Sequence, residues 1–327
     1  AAIDDLQRGI GGIVTLVGEA GIGKSRLVTE LQTSVPSADL ESSSDRGSAL
    51  KPRPDPRSGP QWIEGRCLSY GGSIAYHLWL DLLRSVLNEP PDAPPLAVRE
   101  TLRAQVQALC PGSLDEVYPY LCKLMSLPLE DRYGTLRSLQ GESLRADIFA
   151  AALTLVERAA RQRPLVMVCE DLHWADATSL ALLERLLAVT DRAALLLVCL
   201  FRPEVEHGCW RLKETAARHY RHRHTDLQLD PLSADESQAL VGHLLQIEAL
   251  PAALQTRILD HAAGNPFYVE EILRALIDAA ADGGAGIVYD ETAGRWQATP
   301  EFGRERIDLP FPGTLHGVLA TRIDRLP

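Results

Sequence analysis

The segment Gly18-Glu19-Ala20-Gly21-Ile22-Gly23-Lys24-Ser25 follows directly on the apolar run Ile13-Val14-Thr15-Leu16-Val17. It leads into a stretch whose Leu27, Val28 and Leu31 fall on one helical face. Strand, glycine-rich turn, Lys-Ser and amphipathic helix therefore arrive in the order that a G-x-x-x-x-G-K-[ST] phosphate loop requires. The physical reason for that order is simple. Glycines let the backbone curl so that successive N–H groups converge on α- and β-phosphates, while the following helix turns its positive end to the same anion. Lys24 is placed to reach the β- and γ-phosphates, and the Ser25 hydroxyl to ligate Mg2+. The expected ligand is a nucleoside triphosphate.

A chain of 327 residues with 46% hydrophobic content can build two or three compact units. Its net charge of -11 argues against a surface made for sequence-independent nucleic-acid binding, which rests on neutralising phosphates. The basic run Arg218-His219-Tyr220-Arg221-His222-Arg223-His224 is a local exception, and it reads as a solvated helix end leading into a strand. Six cysteines are scattered without a C-x-x-C pair, and Cys169 and Cys199 lie inside apolar runs. They read as reduced core residues rather than a zinc site or a disulfide framework. No apolar run is long enough to cross a bilayer and no signal-peptide pattern opens the chain, so the expected setting is the cytoplasm with no membrane partner. The chain opens Ala1-Ala2 and stops at Arg325-Leu326-Pro327, which reads as a piece of something longer.

Five short apolar runs suit buried strands of a parallel sheet: Ile13 to Val17, Trp62 to Glu64, Leu165 to Cys169, Ala194 to Phe201 and Asp226 to Leu229. Helical patterns separate them, which predicts a doubly wound α/β domain. Ser37 to Pro60 is rich in Ser, Pro, Asp and Arg and reads as a mobile surface loop. Leu78 to Leu87, Val98 to Leu109, Leu114 to Leu127 and Leu144 to Arg161 show helical spacing with Pro-containing breaks, predicting a helical insertion beside the sheet. After Leu232 the pattern is helical through Glu236 to Leu245, Ala252 to Ala262 and Pro266 to Ala279. A hairpin pairing Ile287-Val288-Tyr289 with Arg295-Trp296-Gln297 and a last helix over Leu315 to Arg325 complete the expectation.

The third strand ends Val168-Cys169-Glu170-Asp171 and so delivers two carboxylates to its C-terminal edge. One acid there can hold Mg2+ and a neighbour can polarise the water that attacks a γ-phosphate. Successive strand residues point to opposite faces, so Glu170 and Asp171 should differ in role, and the sequence leaves open which does which. Asp176 is placed to cap a helix carrying Leu180, Leu183 and Leu187, while His173 and Trp174 shape the nearby surface. Arg202 follows the fourth strand. If the sheet order is 5-1-4-3-2, that strand lies beside the phosphate-loop strand and Arg202 can sense a γ-phosphate; otherwise it is an arginine in a Pro-terminated turn. Gly264-Asn265-Pro266 reads as one helix ending and the next starting.

Together with Arg26-Leu27 after the phosphate loop, the segments Glu170-Asp171-Leu172-His173-Trp174-Ala175-Asp176, Phe201-Arg202-Pro203-Glu204 and Gly264-Asn265-Pro266-Phe267-Tyr268-Val269-Glu270-Glu271 resemble the ATPase module of the STAND class, which is related to AAA+ proteins. Gly65-Arg66-Cys67-Leu68-Ser69-Tyr70 and the closing Arg322-Ile323-Asp324-Arg325-Leu326-Pro327 are similar to the module of bacterial adenylate/guanylate cyclase-type proteins and large LuxR-family regulators. Glu170 stands where many relatives carry Asp. The resemblance implies a P-loop NTPase domain over 1–230 with a five-stranded parallel sheet of order 5-1-4-3-2, in which 37–60 is the loop and 78–161 the insertion. A helical domain over 231–282 and a partial winged-helix domain over 283–327 would follow. It implies ATP or ADP with Mg2+, contacts from Gly18 through Arg26, and an adenine contact at Pro266. The implied partners are flanking sensor and output domains and nucleotide-dependent self-association.

The expected function is an ATP-dependent regulatory switch with slow hydrolysis. A constitutive AAA+-like ATPase is the alternative, disfavoured because no arginine finger or pore loop emerges from the sequence. A P-loop small-molecule kinase would need an acceptor site and a phosphate-clamping lid, and a DNA-binding module has neither the charge nor a complete final domain to support it.

Overall fold

The computed structural model describes residues 1–35, 59–90, 92–137, 141–245, 252–281, 284, 286–290 and 295–299. The chain divides into two compact units, one made of Ala1–Gly18 with Ser25–Gln228, the other of Glu19–Lys24 with Leu229–Pro327.

The first unit is built on a parallel sheet of five strands, β1 (Gly12–Gly18), β2 (Gln61–Arg66), β3 (Leu165–Glu170), β4 (Leu195–Phe201) and β5 (His224–Leu229). Their order is β2-β3-β4-β1-β5, which is the anticipated 5-1-4-3-2. Every residue of β3 and β4 is buried, as strands covered on both faces must be, and this is why they read as unbroken apolar runs. The fifth strand departs from the expectation. It starts two residues earlier, at His224, and is largely exposed, because a strand at the sheet edge tolerates the polar sequence His-Thr-Asp-Leu-Gln-Leu.

Helix α1 (Ala2–Gln7) precedes the sheet and α2 (Lys24–Ser34) follows the phosphate loop. On α2, Val28 is buried whereas Leu27 is 46% exposed, so the apolar stripe is narrower than its sequence suggests. The insertion comprises α3 (His77–Leu87), α4 (Pro95–Leu109), α5 (Leu114–Leu124) and α6 (Glu142–Gln162). Pro95 takes the first position of α4, where its missing N–H costs nothing. The third of these helices stops three residues before the predicted Leu127, since Ser126 turns into the left-handed region with φ 55°. A 3-10 segment over Asp131–Arg137 then joins it to α6.

The insertion belongs to the core of the sheet. Trp79, Leu82, Tyr118, Leu121 and Phe149 join Leu165, Met167 and Leu197 in one buried cluster, together with α7 (Ala177–Leu186) and α8 (Gly208–His219). Gly65 allows the close approach of α3 to β2, because a Cβ there would lie 2.6 Å from Leu82 Cγ. Trp79 Nε1 also donates to the Ser179 carbonyl at 3.3 Å, tying α3 to α7. Two residues of the basic run serve structure: His222 and Arg223 both meet Asp191, and Arg223 Nη1 donates to the Gly11 carbonyl. All six cysteines are buried free thiols, and burial pushes Cys67 up to about 12.

In the second unit, α9 (Ala234–Leu245), α10 (Ala252–Ala262) and α11 (Pro266–Ala281) enclose a separate core of Val241, Leu245, Ile258, Val269, Ile272, Leu273 and Leu276. The predicted hairpin is present as antiparallel β6 (Ile287–Asp290) and β7 (Arg295–Ala298), with Ile287 in that core. Most of the Ser37 to Pro60 loop, the Leu315 to Arg325 helix and most of the expected winged-helix segment lie outside the described residues.

Candidate nucleotide site

Three strands of the first unit define its working edge. Val17 of β1 pairs with Phe201 of β4, and Cys169 of β3 pairs with Cys199 of β4. All three strands run in one direction, so Gly18, Arg202 and the Glu170-Asp171 pair arrive at the same carboxyl edge, where open α/β sheets bind ligands. The phosphate loop leaves this edge at Gly18 and rejoins the unit at Ser25.

β1 is anchored below the loop by a polar network on its own fully buried Thr15. The Thr15 hydroxyl donates to Asp226 Oδ1 at 2.7 Å and lies 2.9 Å from His224 Nε2. A hydroxyl has one proton, and the carboxylate can only accept it, so His224 presents Nε2–H to Thr15 Oγ1. Lys213 Nζ completes the network 2.9 Å from Asp226 Oδ2. Burial alone would raise the Asp226 pKa, but the bonds from Lys213 and Thr15 hold it below the usual value. Burial lowers His224 in turn, against the pull of Asp226.

The loop itself has the geometry of an anion cradle. Gly21 and Gly23 have φ of 77° and 99°, in the left-handed region that favours glycine. Lys24 is buried to 9% exposure, and its Nζ donates to the Glu19 carbonyl at 2.9 Å, which curls the ammonium back over its own loop. Ser25 opens the exposed side of α2. Arg26, expected among the nucleotide contacts, pairs its Nε with Glu30 Oε1 at 2.9 Å along the helix surface. These residues fit a phosphate group: glycine backbone, buried lysine and helix N-terminus are adjacent in one turn of chain.

The acids at the end of β3 do not separate by strand alternation as the sequence suggested. β3 ends at Glu170, and Asp171 turns sharply into the left-handed region (φ 55°, ψ 39°) to start a 3-10 turn over Leu172–Trp174. Glu170 is 8% exposed and is gripped by Arg66, the last residue of β2, whose Nε donates to Oε2 at 2.7 Å. The second guanidinium nitrogen, Nη2, donates to the same oxygen. Asp171 Oδ2 lies 4.0 Å from Arg66 Nε. Nearby Glu64 is raised by burial, then by the Glu170 charge, with Arg66 opposing. Carboxylate and hydroxyl oxygens are the donors a hard Mg2+ takes, and that ion keeps several waters, so Glu170, Asp171 and Ser25 are of the right chemistry to hold it without an all-protein cage. Among the described residues no group of three or more His, Cys, Asp or Glu forms such a cage.

Asp176 caps α7 as expected: Oδ1 accepts from Thr178 N at 3.0 Å and Ser179 N at 2.9 Å. The same oxygen accepts from Tyr76 N at 3.2 Å, fixing the start of α3, a link invisible in the sequence. Arg202 meets the strand-order condition, and its guanidinium lies 5.2 Å from the centre of the Trp174 ring.

Within the second unit, Gly264 (φ 75°) ends α10 and Asn265 Oδ1 accepts from Phe267 N at 3.1 Å to cap α11, with Pro266 in its first turn. The stop-and-restart reading holds. What it missed is that Asn265 Nδ2 donates to the Ala20 carbonyl at 2.9 Å and Phe267 N approaches the Gly21 carbonyl at 3.3 Å. Arg66 was also missed as a site residue; the signals were its place in the Gly65-Arg66-Cys67-Leu68-Ser69-Tyr70 motif and at the end of the strand that neighbours β3.

The family model of the AAA ATPase domain matches residues 1–201, and a domain of unknown function (DUF8739) matches 233–281. An uncharacterised protein of Rhizobium meliloti (strain 1021) is 25% identical over 274 residues, covering 82% of this chain. The chain spans only 23% of that relative. Among solved structures, a Signal Transduction ATPase with Numerous Domains (STAND) protein with a tetratricopeptide repeat sensor from Pyrococcus horikoshii aligns with 84% of this chain and 28% of its own, at 12% identity and TM-score 0.38. The Aeropyrum pernix Orc1 protein in complex with DNA aligns with 86% of this chain and 58% of its own, at 13% identity and TM-score 0.45. With a phosphate loop on β1, acids ending β3, strand order 5-1-4-3-2 and a family match over more than half its length, the chain belongs to the AAA ATPase domain family and is a P-loop, AAA+-related ATPase module.

Proposed function

We propose that this module binds ATP, hydrolyses it slowly and serves as the regulatory switch of a multidomain signalling protein, alternating between ADP- and ATP-bound forms. The observation that carries the reading is the hold of Asn265 and Phe267 on the Ala20 and Gly21 carbonyls. Phosphates drawn into the cradle reorient that backbone, so the start of α11 experiences the state of the loop. Lys24 would leave the Glu19 carbonyl for the β- and γ-phosphates. Ser25, Glu170 and Asp171 would hold Mg2+, which when bound neutralises charge on the phosphate oxygens. Asp171, at the turn beyond the strand, would orient the attacking water, Arg202 would sense the γ-phosphate and Pro266 would meet the adenine. The partners proposed are flanking sensor and output domains of a longer chain and further copies of the module, with no direct role in nucleic-acid binding, in a cytoplasmic setting. Among the described residues no helix is long and apolar enough to cross a membrane.

The test is to denature the purified protein and identify released nucleotide by chromatography. Nearly stoichiometric ADP is expected of a switch that stays closed between signals. An empty protein that turns over added ATP many times a minute would replace the switch by a constitutive ATPase.

A further inference from the structure

We propose that Arg66 is the resident counter-ion of the acidic pair at the end of β3, and that it keeps divalent cations off Glu170 and Asp171 until they arrive with the phosphates of a nucleotide. This rests on the reading of those two acids as the magnesium acids. Arg66 and Glu170 are direct partners in the register of β2 and β3. Two guanidinium nitrogens converge on one oxygen, Glu170 Oε2, and Nε also lies 4.0 Å from Asp171 Oδ2. The backbone N–H of Arg66 is bound separately, to Asp81 Oδ2 at 2.8 Å, so the root of the side chain is fixed by α3 while its charged end faces the acids.

Exposure decides which partner can yield. The Glu170 side chain is 11% exposed and that of Arg66 56%, so the guanidinium can move into water while the carboxylate stays in place. A bare divalent cation approaching Glu170 must break a charge-assisted bond and meet the positive charge of the guanidinium. A cation carried by a triphosphate brings several negative charges, which draw the guanidinium aside or give it a new partner. The acids are thus closed to metal alone and open to the metal–nucleotide complex, with the apparent metal affinity reduced by the fraction of time Arg66 is in place.

Mn2+ titration of the nucleotide-free 327-residue chain, followed by electron paramagnetic resonance, tests this directly. Arg66→Met should bind Mn2+ about tenfold more tightly than the unaltered protein, whereas Arg66→Lys, which keeps the charge, should stay within about threefold. Arg66→Gln retains an N–H donor for Glu170 without the charge and should behave like Arg66→Met, so a folding defect peculiar to Met does not decide the outcome. Adding Glu170→Gln to the Met variant should abolish the gain. Equal or weaker Mn2+ binding in folded neutral variants would overturn the proposal. Mn2+–ADP binding to Glu170→Gln separates the two readings. If this change weakens it and the neutral Arg66 variants gain nothing, only the role of Arg66 falls; if it leaves binding untouched, the assignment of Glu170 as a magnesium acid falls with it.

Discussion

Replacing Gly21 with Ala probes the link between the phosphate loop and α11 at its narrowest point. Gly21 has φ 77°, where an alanine costs roughly 1–2 kcal/mol. Its Cβ would sit 2.8 Å from Phe267 Cβ and 2.9 Å from Asn265 Oδ1, so loop and helix start must separate. The hydrogen bonds from Asn265 Nδ2 and Phe267 N then weaken together, at about 0.5–1.5 kcal/mol each. The link should lose about 2–5 kcal/mol in all. Hydrogen exchange reads this out locally: a loss of 2 kcal/mol speeds exchange of the Phe267 and Val269 amides about 30-fold. Lys24→Ala is the control, because it removes the ammonium without straining Gly21. It should weaken nucleotide binding about 10- to 100-fold while leaving protection at the start of α11 intact. Unchanged protection in a folded Gly21→Ala protein would refute the coupling on which the switch reading rests.

Asp171→Asn should spare nucleotide binding and lower ATP turnover about 100-fold in a single-turnover assay; unchanged turnover would move the catalytic role to Glu170 or elsewhere. Acid should loosen the anchorage of β1 in two stages. His224 and Asp226 both have lowered values in the folded state, so their contributions to stability are complete above their unfolded values, ordinarily about 6.5 and 3.8, and fade as pH falls through the folded ones. Denaturant midpoints measured against pH should therefore decline first with His224 and later with Asp226. His224→Gln should remove the first decline and Asp226→Asn the second; a profile unaltered by both would show that the network does not carry the acid response.

The positions of the buried strands were legible because β1, β3 and β4 are covered on both faces and must be apolar at nearly every residue. β5 was legible in place but misjudged in burial, since the rule for a central strand was applied to an edge. Local chemistry was equally readable where it is contained in a few adjacent residues. The phosphate loop, the Asp176 cap and the Gly264-Asn265-Pro266 restart each follow from φ preferences and hydrogen bonds within one turn of chain.

Tertiary structure decided what depends on strands and helices meeting across long separations. Arg66 reaches Glu170 from 104 residues away because β2 and β3 are neighbours in a particular register. Tyr76 finds Asp176 across 100 residues, and Thr15 finds Asp226 across 211. The sequence by itself determined that a phosphate-binding loop would form on a buried parallel strand, with two acids at the end of another strand of the same sheet. Which charges surround those acids was left to the packing, because electrostatic partners are chosen by distance in space, and periodicity along the chain carries no record of it.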